Sequence, residues 1–184
     1  MYGIDDLIYA FRYNVDDLKI EGNTKILSNV KIIYVEGFFL SHSPEVVEEL
    51  SMLCDQKDKI LILNLCGEYV CKNEEYCKNV LKLLPSIKFI FGNRSELQMF
   101  LETVAKINDT TDEEKQVTRN LQESLSSEIS ESSNNNVDID KEAQYVVVTD
   151  GHNPVCCYSI RYKNLRFISF QYEQYMISHV MMIY

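Results

Sequence analysis

From residue 31 onward the chain alternates short β-branched, apolar runs with stretches of helical periodicity, and this pattern restricts it to a sheet built from βαβ units. KIIYVEGFFL (31–40) opens the series as a strand. Ser43 is then placed to cap a helix starting at Pro44, where a missing N–H costs nothing, and Val46, Leu50 and Leu53 recur on one face. KILILNL (59–65) is the second strand. A helix from about Asn73 follows, with Glu74 and Glu75 favourably placed in its first turn, Tyr76, Val80 and Leu84 on a face, and Pro85 as its stop. IKFIF (87–91) is the third strand, and the helix after Asn93 carries Leu97, Phe100, Leu101 and Val104 at amphipathic spacing. QYVVVTDG (144–151) returns to a buried strand ending in a turn, and PVCCYSIRY with NLRFISF reads as an antiparallel pair. The expected fold is α/β, a mostly parallel, Rossmann-like sheet flanked by helices, in a single domain over 1–184.

Between the third and fourth strands, residues 108–142 turn polar, acidic and rich in Ser and Asn. Val117, Leu121, Leu125 and Ile129 still keep a four-residue period, so this insert is expected to be partly helical, with SSNNN as its exit. The charge pattern also limits partners. A net charge of -10 and a pI near 4.8 argue against an electrostatic binder of nucleic acid or of anionic membranes, and neither partner is expected. No run is long enough to span a bilayer and no signal peptide is visible, so a cytoplasmic location is expected. The six cysteines form no CxxC pair and the three histidines are scattered, which makes free thiols in a reducing compartment the expectation.

The stretch KFIFGNRSEL (88–97) carries the chemistry. Asn93 at a helix start with Glu96 three residues on is a capping-box pattern, in which each side chain satisfies an orphan backbone donor. The same pair also lies just past a strand's carboxyl end, where open parallel sheets bind ligands. Asn64, Thr149 and Gly151 fall on that rim as well. Small polar groups at several strand ends suit a phosphate with its cation, and Mg²⁺ keeps most of its waters, so Glu96 can act on it through one of them.

Taken in order, YVEGFFLSHSPEVV, LILNL, LPSIKFIFGNRSE and VVVTDG resemble the adenosine kinase branch of the carbohydrate and nucleoside kinase family that includes ribokinase. The resemblance runs from about Phe11 to Tyr158 and implies a ribokinase-like fold with ATP-dependent phosphorylation of the adenosine 5'-hydroxyl to AMP, a purine-salvage reaction. It further implies that Phe38 and Tyr69 bind the nucleoside from opposite sides. Asn93 and Glu96 would order Mg²⁺ and the ATP phosphates, with Asn64, Thr149 and Gly151 lining the nucleotide site. ATP and Mg²⁺ are thus the implied cofactors, and adenosine and ATP the implied small-molecule partners. The oligomeric state is left open.

Three departures qualify this implication. Cys66, Gly67 and Glu68 stand where the family has a small-residue and proline step before the aromatic. The family's Gly-rich stretch, which supplies an anion hole and an Asp base, has no counterpart: the six glycines are Gly3, Gly22, Gly37, Gly67, Gly92 and Gly151, and no GxG or GxxG occurs. No catalytic residue is therefore assigned. The amino-terminal lid and double-glycine turn are also missing, and residues 170–184 match nothing in the family. The expectation is a central, incomplete portion of the fold, weak or inactive in transfer, whose apolar tail (Met176, Ile177, Val180, Met181, Met182, Ile183) covers exposed sheet or promotes association. A noncatalytic nucleotide-binding or interaction module derived from a kinase is the alternative. A sugar substrate is disfavoured by the stacking aromatic in GFFL.

Overall fold

The computed structural model describes residues 13–56, 59–107, 143–151, 153–159 and 168–170, with single helical positions between 112 and 122. Its strands are β1 (Ile32–Glu36), β2 (Ile60–Asn64), β3 (Ile87–Asn93), β4 (Tyr145–Asp150), β5 (Asn153–Ser159) and β6 (Ile168–Phe170). They form one sheet in the order β1-β2-β3-β4-β5-β6. The first four run parallel, and β5 and β6 add on antiparallel. The mostly parallel α/β fold expected from the alternation is therefore the fold observed, including its antiparallel pair.

Among the described residues, the helices with given bounds are α1 (Glu21–Asn29), α2 (Gly37–His42), α3 (Pro44–Gln56), α4 (Glu68–Cys71), α5 (Glu74–Leu83) and α6 (Arg94–Val104). A strand order that never reverses, with crossovers of one hand, puts the intervening helices on the same side of the sheet. That side holds the main core. Ile33, Val35, Leu61, Leu63, Ile90, Val146 and Val148 point into it and meet Val46, Val47, Leu50, Val80, Leu97, Phe100 and Leu101 from the helices. Each such apolar side chain stabilises the fold by about 1.5–3 kcal/mol when fully buried. On the opposite side, Ala143, Tyr145 and Cys157 form a small cluster with Phe89 and Val147, while Ile32, Tyr34 and Ile60 stay exposed.

Local chemistry sets the helix starts. The Asn73 side chain accepts from the backbone N–H groups of Glu75 and Tyr76 at 2.9 and 3.1 Å, capping α5 where the sequence places it. Pro44 opens α3, and Val47 N–H donates to the Ser43 carbonyl as the first helical bond. One expectation is corrected. The strand read through residue 40 ends at Glu36, and GFFL belongs to α2. The cause lies at Gly37, where a Cβ would stand 2.5 Å from Tyr76 Oη and 2.7 and 2.8 Å from the carbonyl oxygens of Leu65 and Asn64. Only glycine lets the chain leave the sheet so close to its neighbours. The third strand also runs two residues past 91, bringing Gly92 and Asn93 into the sheet.

Within the insert, Asp112, Lys115, Gln116, Thr118, Arg119 and Gln122 are helical and Thr118 is buried. Val117, Leu121, Leu125 and Ile129 lie outside the described residues, as does the apolar tail after Phe170. Among the described residues, no helix is long and apolar enough to cross a membrane, and all six cysteines are free thiols.

Candidate functional site

Parallel pairing fixes which side chains share the rim. Glu36 lies opposite Asn64 across β1 and β2, Asn64 opposite Phe91 across β2 and β3, and Asn93 opposite Thr149 across β3 and β4. Alternation along each strand puts these residues on the side away from the helices, with Tyr34, Ile62 and Val147 two positions earlier on β1, β2 and β4 and Phe89 just before Phe91 on β3. The open face thus reads apolar within the sheet and polar at its carboxyl edge. There it forms a cleft of about 480 Å³ floored by Tyr34, Ile62 and Phe91 and edged by Glu36, Asn64, Cys66, Gly92, Asn93, Glu96 and Thr149.

Asn93 and Glu96 meet as the sequence suggests. Asn93 Oδ1 accepts from the Glu96 backbone N–H at 2.8 Å, and Glu96 Oε2 accepts from the Asn93 N–H at 2.8 Å, so both halves of a capping box are present. Ser95 Oγ donates to the same Asn93 oxygen. These bonds fix both side chains without exhausting them: Asn93 Nδ2 and Glu96 Oε1 have no protein partner among the described residues. Capping and ligand binding are therefore compatible here, because the box uses one oxygen of each side chain. Gly92 lets the carboxylate lie close to the backbone, since a Cβ there would sit 3.3 Å from Glu96 Oε2 and 3.0 Å from Leu65 Cδ1. Next to the box, Arg94 Nε donates to Asp150 Oδ2 at 3.0 Å, tying the start of α6 to the end of β4.

On the other side of the cleft, Asn64 is oriented at both ends. Its Nδ2 donates to Tyr34 Oη at 2.9 Å and its Oδ1 accepts from the Cys66 N–H at 3.2 Å. Cys66 adopts a left-handed backbone, with φ of 73°, at the turn from β2 toward α4. Burial raises its thiol pKa, opposed in part by the Phe38 backbone amide and reinforced by the Glu36 carboxylate beside it. Burial also raises the Tyr34 hydroxyl, with a lesser contribution from Glu36. Both groups thus stay protonated at neutral pH.

Of the sequence-derived candidates, the cleft gathers Asn64, Asn93, Glu96 and Thr149. Gly151, at φ of 58°, forms the exposed turn after β4. Phe38 is half-buried in α2, its ring packed on that of His42 with centroids 4.3 Å apart. Tyr69, 66% exposed, lies over Gly67, where a Cβ would come within 2.8 Å of its ring. These three stand outside the lining of the cleft. Glu36, Tyr34 and Phe91, which do line it, were not among the candidates. The signal that finds them is strand register: Glu36 and Asn64 are the last residues of neighbouring parallel strands.

Comparison with known proteins places this arrangement. Residues 5–174 match the family described as pfkB family carbohydrate kinase. Adenosine kinase 2 of Arabidopsis thaliana is 36% identical over 98 residues, covering 53% of this chain and 28% of that protein. Adenosine kinase of Schizosaccharomyces pombe is 27% identical over 93 residues, covering 50% and 27%. Among solved structures, Anopheles gambiae adenosine kinase in complex with P1,P4-di(adenosine-5) tetraphosphate superposes with a TM-score of 0.62 at 20% identity, over 89% of this chain and 43% of that one. Schistosoma mansoni adenosine kinase in complex with 2-fluoroadenosine gives 0.62 at 15% identity with the same coverages. The match thus takes in less than half the length of each of these relatives. With its mostly parallel sheet, its Asn93–Glu96 box on the carboxyl edge and a family match over nearly its whole length, the chain belongs to the pfkB family of carbohydrate kinases.

Proposed function

We propose that the chain forms the nucleotide and nucleoside rim of an adenosine kinase-like phosphotransferase acting in cytoplasmic purine salvage. The observation that carries this reading is the Asn93–Glu96 box on the same cleft as Asn64 and Thr149, with Glu96 Oε1 and Asn93 Nδ2 open to a ligand. The donor set fits a hydrated Mg²⁺ bound with substrate phosphates. Such an ion takes one or two carboxylates and keeps its waters, and no group of three or more acidic, His or Cys ligands lies among the described residues. Bound there, Mg²⁺ would supply charge neutralisation on the transferring phosphate. The chain's own contribution is positional. Glu96 holds the ion's waters, Asn93 offers an amide donor to phosphate oxygen, and Thr149 adds a hydroxyl. Phe38, Tyr69 and Gly151 flank the cleft and contribute to the nucleoside and nucleotide ends of a longer ligand.

A second reading, binding without transfer, is favoured by one observation: no two of the six glycines are close enough to form a GxG or GxxG anion cradle. Transfer of labelled phosphate from ATP to adenosine, with Mg²⁺, separates the two. Weak transfer abolished in an Asn93→Ala, Glu96→Ala double variant supports the phosphotransferase. Nucleotide-dependent stabilisation with no transfer supports the binding module. A folded chain stabilised by neither adenosine nor ATP with Mg²⁺ overturns both.

A further inference from the structure

The cleft is chemically divided. Among the described residues its lining carries two carboxylates, Glu36 and Glu96, and no Lys, Arg or His, and the nearby Arg94 is turned to Asp150. The carboxylates sit on different elements. Glu36 ends β1, whereas Glu96 stands at the start of α6, directly after β3. Two strand spacings of about 4.8 Å separate β1 from β3, so the two groups meet different parts of one ligand. Glu96 is built into a cap; Glu36 has no such role, since the N–H groups at the start of α2 receive no side-chain cap from it. Tyr34, whose hydroxyl oxygen accepts from Asn64 Nδ2, and Cys66 line the same part of the cleft as Glu36. A carboxylate offers roughly four acceptor positions, which leaves Glu36 capacity for a ligand.

We propose that Glu36 is a specificity-determining residue of the cleft, accepting a hydrogen bond from a hydroxyl or amino group on the uncharged part of a nucleoside and keeping anionic groups to the Asn93–Glu96 side. This rests on the function proposed above and names what that reading leaves open: which end of the ligand goes where. A carboxylate with no basic group near it favours donors and opposes phosphate, whereas the Glu96 side receives phosphate with its cation. The floor of Tyr34, Ile62 and Phe91 gives the ring system its apolar contact.

Calorimetric titration of adenosine, 2'-deoxyadenosine and N6,N6-dimethyladenosine tests this, using the full chain and its Glu36→Gln and Glu36→Ala variants, with folding checked by urea unfolding. Loss of a hydrogen bond to a charged group lowers affinity by about tenfold or more. The expected result is such a loss for adenosine in Glu36→Ala, with discrimination against at least one analogue collapsing alongside it, and a smaller loss in Glu36→Gln, whose amide oxygen still accepts; a purely structural lesion weakens all three ligands equally. Equal weakening, or adenosine affinity unchanged in both variants, overturns the role of Glu36 and leaves the proposed function standing. An unsubstituted chain that binds all three nucleosides alike overturns it too, whether or not the variants fold. So does a chain that binds ATP with Mg²⁺ but no nucleoside. If the unsubstituted chain binds neither adenosine nor ATP with Mg²⁺, the proposed function fails and this inference fails with it.

Discussion

On the helix-covered side of the sheet, Val35, Leu61, Leu63, Ile90, Val146 and Val148 are at most 4% exposed, whereas on the opposite side Ile32, Tyr34 and Ile60 are 54, 53 and 37% exposed. The same strands supply both sets, one residue apart. The difference shows that core packing and cleft lining fall on alternate positions of the same strands. The covered side supplies the packing that holds the strands in register, and that register lines up Glu36, Asn64, Asn93 and Thr149 on the other.

Alkali should break the covered side most completely. Burial pushes the Cys54 thiol up to about 11 and those of Cys71 and Cys77 to about 12, from 9.0. Because these folded-state values lie above the unfolded one, the unfolded chain loses thiol protons first. Stability is then full below pH 9 and falls as pH rises toward 11 and 12. Urea midpoints measured under reducing conditions at pH 8 and pH 10 should show a marked drop; equal midpoints would mean the thiols are accessible in the folded state.

Next in size, Leu63→Ala should cost about 3 kcal/mol in urea unfolding with little change in m-value, by removing a side chain 1% exposed from the main core. Glu96→Gln separates the two roles of the box. The amide oxygen still accepts from Asn93 N–H, so stability should change by less than about 1 kcal/mol, while stabilisation by ATP that depends on Mg²⁺ is lost. A large stability loss with ligand response intact would return Glu96 to capping alone. The smallest effect belongs to the open side: Ile32→Ala should alter unfolding by no more than about 0.5 kcal/mol. A loss comparable to that of Leu63→Ala would show that the open side is covered in solution.

How far the sequence reveals this depends on whether a feature is local. The starts of α5 and α6 were legible because Asn73 and Asn93 act on backbone groups two or three residues away. So were the strands of the covered core, whose apolar runs need no partner to be recognised. The end of β1 was not, because the reason for it is a close approach between Gly37 and the distant Tyr76, Leu65 and Asn64. The short helix α4 was likewise invisible in four residues. At the site, Asn64, Asn93, Glu96 and Thr149 could be named from their position after strands, but Glu36 emerges only from pairing, a relation between β1 and β2 that neither segment contains. Phe38 and Tyr69 were placed by resemblance, and local packing on His42 and Gly67 sets them beside the cleft instead of in its lining.

The left-handed backbone of Cys66 has an engineering consequence. A side chain held at positive φ is a conformation glycine adopts freely, and relieving it can stabilise a fold by about 1 kcal/mol. Cys66→Gly would also remove the thiol from the lining of the cleft. Directed evolution of this scaffold for tolerance to heat would therefore sample that position early, and the variants that survived would carry a cleft with one side chain fewer in its lining.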